Sequence, residues 1–143
     1  MELDDLYQDL ILDHYRRPRH RDRSLARDAG VHHENPVCGD EITLRVTVED
    51  GRVAAVAWSG DGCSISVAAA SMMSESIQGV PVAEALALVE RMRGLMHGDP
   101  PTDALGDLGA FSGVAQLAVR VKCALLPFMA LKDALGRSPE VSP

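Results

Sequence analysis

The chain has 143 residues, 46% of them hydrophobic and 24% charged, and fourteen basic against twenty-one acidic side chains leave a net charge of −7. A chain of this length forms one domain whose core needs no disulfide staples, and the acidic balance argues against nucleic acid or an anionic membrane as the main partner, since both call for a cationic face. No apolar run approaches the roughly 20 residues of a membrane span, and the N-terminus lacks the basic-then-apolar pattern of a signal peptide. Three cysteines cannot all pair within one chain. An odd count without an export signal points to a reducing cytoplasm, with thiols kept for chemistry or metal.

Residues 3–15 read as an amphipathic helix, with Leu3, Leu6, Tyr7, Leu10, Ile11 and His14 at helical spacing and Asp4 and Asp5 in the favourable acidic first turn. Arg16 and Arg17 suit its last turn, and Pro18 ends it. The five arginines from Arg16 to Arg23 read as a solvated helix end and loop in preference to a docking patch. Residues 19–34 carry little apolar periodicity and are expected to be loop. His32 and His33 are expected to be surface histidines, because adjacent side chains rarely aim at one metal.

From Ile42 to Val48 apolar residues alternate with Thr43, Arg45 and Thr47, the pattern of a half-buried strand. Asp50-Gly51 predicts a tight hairpin turn, and Arg52 to Trp58 the returning strand. One hairpin is marginal by itself. Residues 30–37 are the candidate for a third strand, limited by Pro36. After Gly60-Asp61-Gly62-Cys63, a helix capped by Ser64 or Ser66 is expected, its stripe being Ile65, Ala68, Ala69, Met72, Met73 and Ile77. Gly79 ends it, and Pro81 opens another helix carrying Val82, Leu86, Val89 and Met96.

Residues 97–113 form a Gly-, Pro- and Asp-rich excursion anchored by Leu105, Leu108 and Phe111. The last helix covers residues 117–135. Proline is best tolerated in a first turn, so Pro127 places its regular start near Cys123, with Arg120 to Lys122 as lead-in. Gly136 closes it. The expected organisation is one domain over residues 1–137 and a disordered tail at 138–143.

Chemistry concentrates at Asn35-Pro36-Val37-Cys38-Gly39-Asp40, at Cys63 and at Cys123. Each cysteine is read as lying where an element begins, and backbone amides at a helix start favour a thiolate. Cys38, Asp40, Cys63 and Cys123 together offer three sulfurs and one oxygen, a donor set for zinc. Three unrelated buried cysteines acting as small apolar residues fit the spacing equally well. With zinc, four negative donors leave the site at minus two, and Arg120 and Lys122 flank Cys123 where they would offset that excess.

Three stretches resemble the cysteine motifs of the SufU branch of IscU-like iron–sulfur assembly proteins: Asn35 to Asp40, Gly60 to Ser66, and Arg120-Val121-Lys122-Cys123-Ala124. Ile11-Leu12-Asp13-His14-Tyr15 with Pro18-Arg19 resembles the N-terminal helix of that family, and the likeness runs from about residue 3 to 135. The scaffold branch carries His before its third cysteine, where this chain has Lys122. The excursion at 97–113 matches an insertion of the SufU branch. Phe128 after Pro127 departs from the Trp of many relatives.

The resemblance implies an α+β fold, with a small antiparallel sheet of about three strands packed against helices. It implies Cys38, Asp40, Cys63 and Cys123 as zinc ligands, Cys38 as the sulfur acceptor, and a SufS-type, pyridoxal-phosphate-dependent cysteine desulfurase as partner, ahead of downstream iron–sulfur assembly machinery; Arg120, flanking Cys123, is expected to assist Cys38. Acceptance of sulfur is expected to require a partner histidine to replace Cys38 on zinc. Two other classes stay open: a scaffold assembling a [2Fe–2S] cluster on the same donors, and a structural zinc module for protein contacts.

Overall fold

The computed structural model describes residues 3–137, with side chains from residue 8 onward, so the tail expected at 138–143 lies outside the described residues. The elements are α1 (Leu3–Arg16), β1 (Val31–Asn35), β2 (Asp40–Glu49), β3 (Arg52–Ser59), α2 (Ser64–Ile77), α3 (Val82–Met96), a 3-10 segment (Asp103–Gln116) and α4 (Ala118–Arg137). The three strands form an antiparallel sheet in the order β1-β2-β3, packed against helices, which is the expected α+β architecture.

The hairpin is built as its turn residues dictate. Asp50 and Gly51 both take positive φ, 53° and 74°, the two-residue geometry that matches strand twist. The register running from Glu49↔Arg52 to Leu44↔Trp58 then sets buried Ile42, Leu44, Val56 and Trp58 on the core side. The third strand comes from the candidate stretch at 30–37, and it stops at Asn35, before the proline that cannot donate to a ladder. The loop expected over 19–34 is therefore shorter than read. His32, His33 and Glu34 gave β1 no apolar alternation, and pairing with β2 overrode that weak local signal.

Residues 20–22 also have structure to serve. His20 O accepts from Trp58 N at 3.1 Å and Asp22 N donates to Trp58 O at 2.7 Å, which covers the outer edge of β3. Trp58 Nε1 donates to Arg19 O at 2.9 Å, and the Arg21 guanidinium lies 5.1 Å from the Trp58 ring centroid. The arginine run is thus largely committed: Arg17 and Arg19 pair with Asp13, Arg19 also reaches Glu75, and Arg21 reaches Gly60 O and Asp61. Those pairs hold the Asp13 carboxyl down at about 2, chiefly through the Arg19 hydrogen bond.

Helix α2 runs through the middle of the protein, against α1, α4, β3 and the 3-10 segment. The expected stripe is buried except for half-buried Ile65, but so are Ser66, Val67, Ala70, Ser71 and Ser74. A helix packed against four other elements needs small residues facing its neighbours, which explains the Ala and Ser content. His14 of α1, only 2% exposed, bonds Ser71 Oγ through Nδ1 at 2.7 Å and places Nε2 3.8 Å from Glu75. Burial pushes its pKa below the ordinary 6.5, helped by the nearby Arg19 charge.

The excursion is mostly a 3-10 segment, kinked at Gly106. Leu105, Leu108, Phe111 and Val114 are all buried, and their spacing of three is the period of a 3-10 helix. In α4 the structure departs from the expectation drawn from Pro127. The helix is regular from Ala118, and Pro127 lies in its interior, one ladder bond short. Burial of Ala124, Leu126, Phe128, Ala130, Leu131 and Leu135 against the core outweighs that loss.

Candidate metal centre

The β1–β2 connection is an Asx turn. Asn35 Oδ1 accepts from Val37 N at 3.2 Å and Asn35 O from Gly39 N at 2.8 Å, which lifts Cys38 to an exposed tip and returns the chain at Asp40. Gly39 turns the chain at φ 77°, with open space where a Cβ would stand. Asp40 opens β2 and is buried, only 2% exposed. Its Oδ1 accepts from Cys63 N at 2.9 Å and its Oδ2 lies 3.4 Å from Cys63 Sγ.

This close approach has a local cause. A Cβ on Gly62 would fall 2.8 Å from Asp40 Oδ1 and 2.3 Å from Ser66 Oγ, so glycine leaves the room that the carboxylate occupies. Cys63 is the N-cap of α2, with no side-chain cap, in place of the expected Ser64 or Ser66. Ser66 Oγ instead donates to Cys63 O at 3.1 Å and lies 3.9 Å from Cys63 Sγ.

Cys123 departs from the expected position at an element start. It is the sixth residue of α4, completely buried, with its Sγ 3.8 Å from Val119 O and 3.6 Å from Cys38 Sγ. The helix-start argument for a stabilised thiolate therefore does not apply to Cys123. Burial pushes the Cys123 thiol pKa far up, and hydrogen bonds with Asp40, Cys38 and Cys63 add to the shift. Burial also opposes ionisation of Asp40, but the thiols of Cys38, Cys123 and Cys63 and the Cys63 N–H outweigh it and hold that carboxyl below its ordinary value.

Donor atoms of Cys38, Asp40 and Cys123 all lie within 4.8 Å of one another; Cys63 falls outside that group and borders it through Asp40 Oδ2 at 3.4 Å. Zn–S bonds of about 2.3 Å at tetrahedral angles separate sulfurs by about 3.8 Å. The observed 3.6 Å between Cys38 and Cys123 and 3.4 Å between Cys63 and Asp40 fit such a donor set. Of the four residues singled out from the sequence, Cys38, Asp40 and Cys123 come together, and Cys63 stands beside them against Asp40.

Arg120 is exposed in the first turn of α4, and charge on Cys63 with hydrogen bonds to Cys123 and Cys63 raises its pKa. Lys122 points elsewhere, lining an apolar groove with Pro36, Val37, Leu125 and Met129. His32 and His33 diverge as adjacent strand residues must. His32 bonds Thr43 and Glu34, and His33 bonds Asp133 of α4 at 3.0 Å. His32, Glu34 and Glu41 form a second group of close donors, but Arg27 already bonds both His32 and Glu34. Asn35, Gly62 and Ser66, which shape the centre, carried no separate signal beyond their places in the motifs.

Fold and site define an α+β protein that gathers two thiols and a carboxylate, one thiol exposed, beside a third thiol at the start of its central helix. The chain belongs to the family of the NifU-like N terminal domain, whose pattern matches residues 6–124. It is 37% identical over 137 residues to the zinc-dependent sulfurtransferase SufU of Bacillus subtilis, covering 94% of this chain and 92% of the relative. It is also 37% identical over 139 residues to the iron-sulfur cluster assembly scaffold protein IscU of Streptococcus pyogenes, covering 96% of this chain and 87% of that one. Among solved structures, a SUF-system scaffold protein (FiSufU) from Fervidobacterium islandicum superposes with a TM-score of 0.78 at 29% identity, over 93% of this chain and 98% of the other. No helix among the described residues is long and apolar enough to cross a membrane.

Proposed function

We propose that this protein takes part in iron–sulfur cluster assembly as a zinc-dependent sulfur acceptor, receiving persulfide sulfur from a SufS-type cysteine desulfurase. The observation that carries this reading is the asymmetry of the donor set: Cys38 is exposed at a turn, whereas Cys123 and Asp40 beside it are buried. Cys38, Asp40, Cys63 and Cys123 would hold the ion. Bound zinc keeps thiols deprotonated at neutral pH without redox chemistry of its own.

The chain's own residues supply the rest. Asp40 is anchored by the Cys63 N–H, and Cys63 and Cys123 sit on packed helices, so three donors stay in place while Cys38 swings out on Gly39. A Cys38 thiolate attacks the outer sulfur of the partner's cysteine persulfide. A new S–S bond forms at Cys38, the bond from that sulfur to the partner's cysteine breaks, and the partner leaves as thiolate. Arg120, close to Cys63 and Cys123, balances the excess negative charge of four anionic donors.

The test mixes Cys38→Ala with the desulfurase and cysteine. Stimulation of alanine release should disappear, and persulfide mapping of the unaltered chain should find the extra sulfur on Cys38; undiminished stimulation would sink the role of Cys38. The scaffold reading rests on the same donors and on the IscU relative. It predicts a brown protein with visible absorption after anaerobic purification, whereas zinc leaves it colourless.

A further inference from the structure

We propose that Cys38 and Cys123 form a reversible thiol–disulfide pair, with hydroperoxide as the oxidant and Cys38 as the thiol that meets it. Their sulfurs are 3.6 Å apart, and a disulfide needs about 2.05 Å, so the two must approach by roughly 1.5 Å to form the bond. The two differ in access. Cys38 is exposed, while Cys123 is completely buried on α4. An oxidant reaches the first and not the second, the layout of an accessible thiol beside a resolving one.

Movement and restraint are divided in the same way. The Cys38 turn has room to shift, because Val37 is 80% exposed and nothing stands within 4 Å of a Cβ built on Gly39. Cys123 is fixed between the buried residues of α4 and its contact with Val119 O. Cys63 Sγ, 3.4 Å from Asp40 Oδ2 and 3.9 Å from Ser66 Oγ, also neighbours Cys123 but lies outside the close group that Cys38, Asp40 and Cys123 form. The exposure of Cys38 and its 3.6 Å approach to Cys123 therefore favour this pairing over one through Cys63.

The chemistry balances in two steps. The Cys38 thiolate attacks one peroxide oxygen, the O–O bond breaks, and Cys38 becomes a sulfenic acid as hydroxide departs. The Cys123 thiol then displaces that oxygen as water, forming the S–S bond; two thiols and one peroxide yield one disulfide and two waters. A small dithiol returns both electrons and restores the thiols. The disulfide stands on sulfur geometry alone. Its consequence, withdrawal of two donors and of the accepting thiol together, rests on the function proposed above.

The test treats the full reduced chain, with and without chelator, with about one equivalent of hydrogen peroxide, followed by alkylation and digestion without reductant. The expected result is an intact mass about 2 Da below the reduced chain, a Cys38–Cys123 cross-linked peptide, alkylated Cys63, and reversal by dithiol. Cys63→Ser should form the same bond. A linkage through Cys63, a dimer joined at Cys38, or Cys38 driven to sulfinic acid while Cys123 stays alkylatable would each overturn the pair. Zinc analysis of the same reduced sample reads the metal assignment separately, so either can fail alone.

Discussion

Cys38 and Cys123 are near neighbours in space and opposites in setting. One sits on a surface turn between two strands, held by Asn35 and released by Gly39; the other sits inside a helix that is part of the core. The difference separates two tasks that a cluster of thiols and a carboxylate must combine. The buried half fixes where the donors are, and the exposed half decides who can reach them. Perturbing the helix should therefore damage the centre without touching a donor, whereas perturbing the turn should change access and leave the fold alone.

The largest effect expected is from Phe128→Ala, five positions beyond Cys123 on α4 and completely buried. Emptying that site should cost about 3–5 kcal/mol in chemical denaturation and lower zinc affinity as α4 loosens. Val37→Ala, beside Cys38 but 80% exposed, should change stability by no more than about 0.5 kcal/mol. Equal losses from the two would dissolve the contrast.

A smaller effect isolates the seam between the halves. Gly62→Ala sets a methyl group against the Asp40 carboxylate and Ser66 Oγ, and both side chains must shift to make room. Zinc affinity, read by competition with a chromophoric chelator, should fall roughly 10–100-fold with the circular dichroism of the fold retained. Unchanged affinity would mean that Asp40 is not held where the geometry places it.

The smallest effect lies away from the centre, at the α1–α2 contact. Burial keeps the His14 pKa below 6.5, so on acidification the unfolded chain takes up this proton first. The contribution is complete above pH 6.5 and is lost progressively as the pH falls below it. The denaturation midpoint should decline as the pH falls below 6.5, and less steeply in His14→Gln. A matching decline in the variant would assign the slope to other groups.

Much of the donor set was legible because its residue types are rare here and stand beside turn formers. Cysteine occurs three times, and Asn-Pro-Val-Cys-Gly-Asp names both a turn and its chemistry. The hairpin was legible for the same reason: Asp50-Gly51 needs no distant help to turn. Where local signals were weak or misleading, packing decided. His32-His33-Glu34 became strand through β2, and Pro127 entered a helix interior because the apolar face around it is buried. The 3-10 segment had a visible signal in the three-residue spacing of Leu105, Leu108 and Phe111, which composition alone obscured.

The sequence by itself determined which residues could bind and where the chain would turn, since both follow from side-chain chemistry and local backbone preference. Only the tertiary structure decided that Cys123 is a buried helical residue 3.6 Å from an exposed Cys38, and that Gly62 makes room for Asp40. Those distances join residues up to 85 positions apart, and they are set by how α2, α4 and the sheet pack together.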